Sequence, residues 1–243
     1  VYDYGHSPDG VFYYAMEYLD GTDLERLVQT GGPLPIGRAL HIVGQLLGSL
    51  AEAHDAGLVH RDIKPANVML TRRGGIPDFV KVLDFGLVRP VDNANAKVTS
   101  EETIIGTPLY VAPETLASAS AASPRSDVYA VAALLYFLLS GADAFDGPNL
   151  SAIISRHMHG SPRPLSEVIP GGHVPSDIAY LLQSWMARDA NARPTNAREA
   201  LMMLESIATR YPWTQRDSLI ALGEDIGQAS TVILLHAGMI VNQ

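Results

Sequence analysis

The chain has 243 residues, 47% of them apolar and 18% charged, which is material for a sizeable core and excludes disorder as its main state. A formal net charge of −9, from 17 basic against 26 acidic side chains, argues against a nucleic-acid partner, because counterion release needs a cationic face. The absence of cysteine excludes disulfides, thiolate metal sites and cysteine nucleophiles, and fits a reducing compartment.

The first residues, Val1-Tyr2-Asp3-Tyr4-Gly5, carry neither a basic nor an apolar leader region and no initiating Met, as expected of a chain that begins in the middle of something. Residues 2–5 and 11–19 are aromatic and β-branched runs on either side of Ser7-Pro8-Asp9-Gly10, and predict a β-hairpin. Asp20-Gly21-Thr22-Asp23 reads as a break in the strand, with room for a short helix over residues 24–30. Ala39, Val43, Leu46, Leu47, Leu50 and His54 share one face at 3.6 spacing and predict a helix from about Pro35 to Ala56, closed by Gly57 in the left-handed conformation. Short extended pieces follow at residues 58–60, 68–70 and 79–83, with Arg72-Arg73-Gly74-Gly75 as the turn between the last two and a lengthened turn over 72–78. Residues 86–126 have no sustained periodicity, which inside a compact domain signals a functional or mobile segment. Residues 128–139 are apolar all round, as in a buried central helix, and too few for the roughly 20 residues that cross a bilayer. Further helices are predicted at 177–186 and 196–208, the second with Asn196 and Glu199 as a capping box. The pattern is a mostly helical body preceded by a scrap of antiparallel sheet.

The chemistry concentrates in His60-Arg61-Asp62-Ile63-Lys64-Pro65-Ala66-Asn67, where Pro65 forbids helix continuation and so constrains a polar loop. Asp62 and Lys64, two apart in extended backbone, point the same way. A carboxylate that accepts a proton beside a cation that offsets charge suits phosphoryl transfer to a hydroxyl. Asn67 adds a neutral oxygen suited to a hard divalent cation such as Mg2+. Asp84-Phe85-Gly86 ends a strand and supplies a second carboxylate where a metal could bridge phosphates. Two carboxylates and an amide can thus converge on one site.

On these residues the chain resembles the eukaryotic-type serine/threonine protein kinases of bacteria over residues 1–208. His60 to Asn67 is similar to the catalytic loop, Asp84-Phe85-Gly86 to the metal-binding triplet, and Ala112-Pro113-Glu114 to the end of the activation segment. The resemblance implies an α+β, kinase-like fold. Residues 1–19 would be a remnant β-hairpin of the small lobe with the hinge, 20–208 the mostly helical large lobe, and 209–243 an extension of unassigned role. It implies ATP and Mg2+ as cofactors and protein serine or threonine as acceptor. Asp62 would be the base, Lys64 would lie on the γ-phosphate, and Asn67 and Asp84 would hold Mg2+. Thr107, in Gly106-Thr107-Pro108-Leu109-Tyr110, would tie the lysine to the aspartate as in the serine/threonine subclass. Met16, Glu17 and Leu19 would form the gatekeeper and hinge against adenine, with Met69 flooring the pocket and Asp23 near the ribose. Glu114 with Arg193 resembles the ion pair that closes the helical lobe, and Asp127 the residue that steadies the catalytic-loop backbone. Phosphate on Thr99, Ser100 or Thr103 could pair with Arg61 and Arg89 and order the activation loop.

The family's Gly-rich loop and strand lysine are not found in this sequence, whose first lysine is Lys64. The expectation is an N-terminally truncated fragment that by itself transfers phosphate very poorly and binds nucleotide weakly. The alternatives are a pseudokinase acting as a binding module and, more weakly, a small-molecule phosphotransferase. The resemblance admits a cytoplasmic location, including as the cytoplasmic domain of a membrane-anchored receptor kinase, and dimerisation for activation. Elsewhere, His157-Met158-His159 has metal-ligand spacing for a strand, but with no partner nearby a solvated loop is expected. His54 and His60 are expected to pack and hydrogen-bond, Met202-Met203 to be core of a terminal helix, and Trp185 and Trp213 to pack.

Overall fold

The computed structural model describes residues 3–6, 12–83, 108–169 and 171–225. In chain order the elements are β1 (Asp3–His6), β2 (Phe12–Ala15), β3 (Gly21–Asp23), α1 (Leu24–Gly31), α2 (Ile36–Asp55), a 3-10 turn (Pro65–Asn67), β4 (Val68–Arg73) and β5 (Ile76–Val82). Then follow α3 (Pro113–Ala117), α4 (Pro124–Ser140), α5 (Leu150–His159), α6 (Leu165–Val168), α7 (Ser176–Trp185), α8 (Ala197–Ala208) and α9 (Gln215–Asp225). The architecture is α+β: among the described residues, a helical body with two small antiparallel sheets, β1-β2 and β3-β4-β5. The predicted hairpin forms, with Asp3 opposite Ala15 and His6 opposite Phe12, so its second strand is shorter than the run at 11–19 suggests.

One predicted break is a strand. Residues 21–23 pair with β4, Gly21 opposite Thr71 and Asp23 opposite Met69. Gly21 is required by closeness of approach: a Cβ there would lie 2.1 Å from the carbonyl oxygen of Leu70. The turn between β4 and β5 is also not lengthened. Gly74 and Gly75 both have positive φ (58° and 81°) and close a two-residue hairpin with Arg73 opposite Ile76. The extra chain is absorbed by a register shift between Thr71 and Arg73, close to Asp78, whose φ is 53°.

Helix α4 is buried from Ser126 to Ser140, as an all-round apolar helix must be. Ser123 and Ser126 cap its start reciprocally behind Pro124, and Gly141 at φ 71° ends it in the left-handed conformation. Helix α2 lays Ala39, Val43, Leu46, Leu47 and Leu50 against α4 and α8, all of them inaccessible to solvent, so the predicted face is the packed one. Trp185 is fully buried, whereas Met202 is 59% exposed and only Met203 of that pair packs on the core. At the start of α8, Asn196 accepts from the Glu199 amide, but the Glu199 carboxylate reaches Thr195, not Asn196, so the expected capping box is only half formed. Among the described residues no helix is long and apolar enough to cross a membrane.

Candidate active site

The polar loop is built on Asp127, which α4 carries at the base of its first turn, almost fully buried. Its Oδ2 accepts from the His60 amide (2.8 Å) and its Oδ1 from the Arg61 amide (2.9 Å). The His54 ring, from α2, meets Oδ2 through Nε2 at 2.9 Å, while its Nδ1 accepts from the Ala197 amide at the start of α8 (3.1 Å). An amide can only donate, so Nδ1 is the acceptor, and the proton of a neutral His54 lies on Nε2, aimed at Asp127. One carboxylate thus joins α2, α4, α8 and the loop. It also holds Arg61 at φ 69°, a left-handed conformation that costs a non-glycine residue about 1–2 kcal/mol.

His60 is fully buried, its Nε2 at 2.9 Å from the Leu83 carbonyl and its Nδ1 accepting from the Asp62 amide (3.3 Å). The same Leu83 donates its amide to the Asn67 carbonyl (2.8 Å). Thus the loop is tied to the end of β5, where Asp84 follows in sequence. Both histidines pack and hydrogen-bond as expected.

The outer side of the loop carries the reactive groups. Lys64, in extended conformation, places Nζ 2.8 Å from Asp62 Oδ2. Pro65 opens the 3-10 turn that brings Asn67 back under Asp62, where Nδ2 donates to the Asp62 carbonyl and to Oδ2, both at 2.8 Å. Asp62 and Lys64 side chains are 56% and 42% exposed and so open to a ligand, whereas Asn67 is buried. An ion pair this exposed adds at most about 1 kcal/mol to stability, so its geometry matters for chemistry, not for folding.

Of the other predicted site residues, Asp23 and Met69 are brought together as partners in the β3–β4 register. Asp23 also caps α1, accepting from the Arg26 amide at 2.8 Å, and Met69 is buried. Met16 and Leu19 are half-buried, and the exposed Glu17 carboxylate meets Lys81 Nζ at 2.9 Å. Asp84 and Thr107 lie outside the described residues, as do Arg89, Thr99, Ser100 and Thr103. Glu114 and Arg193 form a two-pronged pair, Nη1 to Oε1 and Nη2 to Oε2, each 2.8 Å. The Arg193 side chain is fully buried and lies over the Tyr129 ring at 4.8 Å. Tyr110 donates to Asp143 Oδ1 (3.0 Å). Burial and the neighbouring Asp143 push the tyrosine pKa up, and burial raises that of Asp143.

The expected loop at His157-Met158-His159 is instead the end of α5. Positions two apart on a helix are turned by about 200°, so the two rings diverge. His157 is buried against Phe145, ring centroids 4.3 Å apart, with Nδ1 2.9 Å from the Tyr129 hydroxyl. Burial pushes its pKa down to about 4. Asn149, which caps α5, and the basic residues of its last turn were the available signals for this helix. Also unanticipated were Arg38, Gln45 and Asp78, polar residues that join α2 to β5; only their interruption of apolar runs hinted at them.

The protein kinase domain family matches residues 2–205. The serine/threonine-protein kinase pkn3 of Myxococcus xanthus is 35% identical over 209 residues, 85% of this chain and 38% of that protein. PknL of Mycobacterium tuberculosis is 38% identical over 208 residues, 86% of this chain and 50% of its own length. The chain therefore spans half or less of these curated relatives. Among solved structures, the Rad53 kinase domain and SCD2 in complex with AMPPNP superposes with a TM-score of 0.62 at 25% identity, covering 80% of this chain and 69% of that one.

Proposed function

The chain belongs to the protein kinase family, and from that premise we propose that it serves ATP-dependent phosphorylation of serine and threonine side chains in proteins. The observation that carries this reading is the arrangement of Asp62 between the Lys64 ammonium and the Asn67 amide, 2.8 Å from each. In it Asp62 orients the acceptor hydroxyl and takes its proton as the new oxygen–phosphorus bond forms, while the bond from the γ-phosphorus to the β,γ-bridging oxygen breaks and ADP leaves. Lys64 offsets charge on the phosphoryl group in transit, and Asn67 keeps the carboxylate in place. Thr107 would link the lysine and the aspartate.

The donor set fits Mg2+. Both Asn67 Nδ2 contacts end on oxygens, so the amide nitrogen faces Asp62 and the amide oxygen is what remains for a cation. With the Asp84 carboxylate it would make a pair of hard oxygen ligands, which suits Mg2+ better than a soft metal. When bound, the ion supplies charge neutralisation between the phosphates. Adenine would lie along Met16, Glu17 and Leu19 above Met69, with the ribose toward Asp23.

The test is transfer of labelled phosphate from γ-labelled ATP by the full-length gene product, followed by phosphoamino-acid analysis. Asp62→Asn is expected to lower the rate by about 100-fold or more, with label on serine or threonine in the wild type. An undiminished rate, or label on tyrosine alone, would overturn the reading.

A further inference from the structure

Residues 209–225 lie beyond the stretch matched by the kinase family, yet they fold back on its body. Helix α9 packs on β5. Tyr211 donates to Asp177 (2.8 Å), and the Trp213 indole N–H reaches both Asp78 Oδ2 (3.1 Å) and Ser218 Oγ (2.7 Å). The approach depends on Gly37 in the first turn of α2, where a Cβ would stand 2.9 Å from the carbonyl oxygens of Tyr211 and Pro212. Glycine is unfavourable inside a helix, so its presence at a backbone crossing has a steric reason.

The group that Trp213 meets is costly to build. Asp78 is 4% exposed, holds a left-handed backbone and receives the Arg38 guanidinium through Nη2 (2.9 Å) and Nε (3.3 Å). Arg38 is as deeply buried and lies under the Trp213 ring, 5.8 Å from its centroid. Gln45 completes the joint, donating to the Asp78 carbonyl (2.7 Å) and accepting from the Val80 amide (3.2 Å). A buried ion pair on a strained backbone adds little stability by itself. What the joint fixes is where β5 lies relative to β4 at the register shift, and β5 leads to Leu83, the residue bonded to both His60 and Asn67.

We propose that Trp213, Asp78 and Arg38 form a clamp through which the segment 211–225 positions the end of β5 under the loop that carries Asp62 and Asn67. They are positioning residues, acting through Leu83. Their consequence for nucleotide rests on the kinase reading above, but their effect on Leu83 does not.

The test is amide exchange by NMR, read residue by residue, together with binding of AMP-PNP and Mg2+ by the full-length gene product. The variants are Trp213→Ala, Trp213→Phe and Gly37→Ala, with Leu182→Ala as a control that destabilises the body from α7. Trp213→Ala and Gly37→Ala are expected to speed exchange at Val80 and Leu83 about tenfold relative to α4 amides and to weaken AMP-PNP binding at least threefold. Trp213→Phe, which keeps the ring over Arg38, is expected to be intermediate and remains informative if Trp213→Ala does not fold. Leu182→Ala should leave the ratio of Leu83 to α4 exchange unchanged. Equal acceleration at all amides, or an unchanged Leu83 in folded Trp213→Phe and Gly37→Ala, would overturn the clamp. Failure of the full-length wild type to bind AMP-PNP would count against the kinase reading alone, because Leu83 exchange is measured without nucleotide.

Discussion

Replacing Asp127 should dismantle the loop in graded steps. In Asp127→Asn an oxygen at the Oδ2 position still serves His60 and His54, but the new NH2 faces the Arg61 amide, which then has no acceptor. One charge-assisted bond is lost and one donor stranded, a cost of about 1–3 kcal/mol. The left-handed backbone at Arg61 loses its restraint at the same time. In Asp127→Ala all three donors are stranded, two of them buried, and the cost rises to about 3–5 kcal/mol, a large share of the roughly 5–15 kcal/mol typical of a domain. Urea unfolding followed by circular dichroism gives both values, and amide exchange locates them: Arg61 should open in the first variant, His60 and Arg61 together in the second. A loss below about 1 kcal/mol in Asp127→Ala, or equal losses in the two variants, would refute the reasoning.

Other consequences are as specific. Asn67→Asp sets a second carboxylate where the amide lies 2.8 Å from Asp62 Oδ2, so it should raise the pH midpoint of phosphoryl transfer and destabilise the loop by about 1–3 kcal/mol, read from a pH–rate profile and urea midpoints. His157 has its pKa lowered by burial to about 4 from 6.5, so the unfolded chain binds the proton first as pH falls. Stability from this group is therefore whole above pH 6.5 and declines down to about pH 4. Between pH 7.5 and 5 the wild type should lose about 2 kcal/mol more than His157→Gln in paired urea melts. Gly21→Ala drives a Cβ into the Leu70 carbonyl and should cost more than about 2 kcal/mol, whereas Gly48→Ala, in α2 with no heavy atom within 4 Å of its Cβ, should add about 0.5–1 kcal/mol; thermal melts separate the two.

The helices were legible wherever burial follows a period. The face of α2 and the uniform apolarity of α4 are local signals, and the helices stand where the spacing puts them. The loop was legible for a different reason, since Pro65 and the adjacent charges restrict both its backbone and its chemistry. Elements fixed by contacts distant in sequence were not. Asp-Gly-Thr-Asp looks like a turn, and only pairing with β4 makes Gly21–Asp23 a strand. Arg38 and Asp78 lie 40 positions apart, on a helix and a strand, and no period links them. Asp127 was placed through family likeness and not from its neighbours, because its three donors come from His54, His60 and Arg61.

The proposed sharing of one cation by Asn67 and Asp84, beside Asp62, is tested most directly in the full-length gene product with Mn2+ in place of Mg2+, added with AMP-PNP and followed by NMR line broadening. The Asn67 side-chain amide and the Asp84 backbone amide should broaden together and sharpen when Mg2+ is added in excess. Broadening elsewhere while both signals stay sharp would contradict a shared metal site, and with it phosphoryl transfer at this loop.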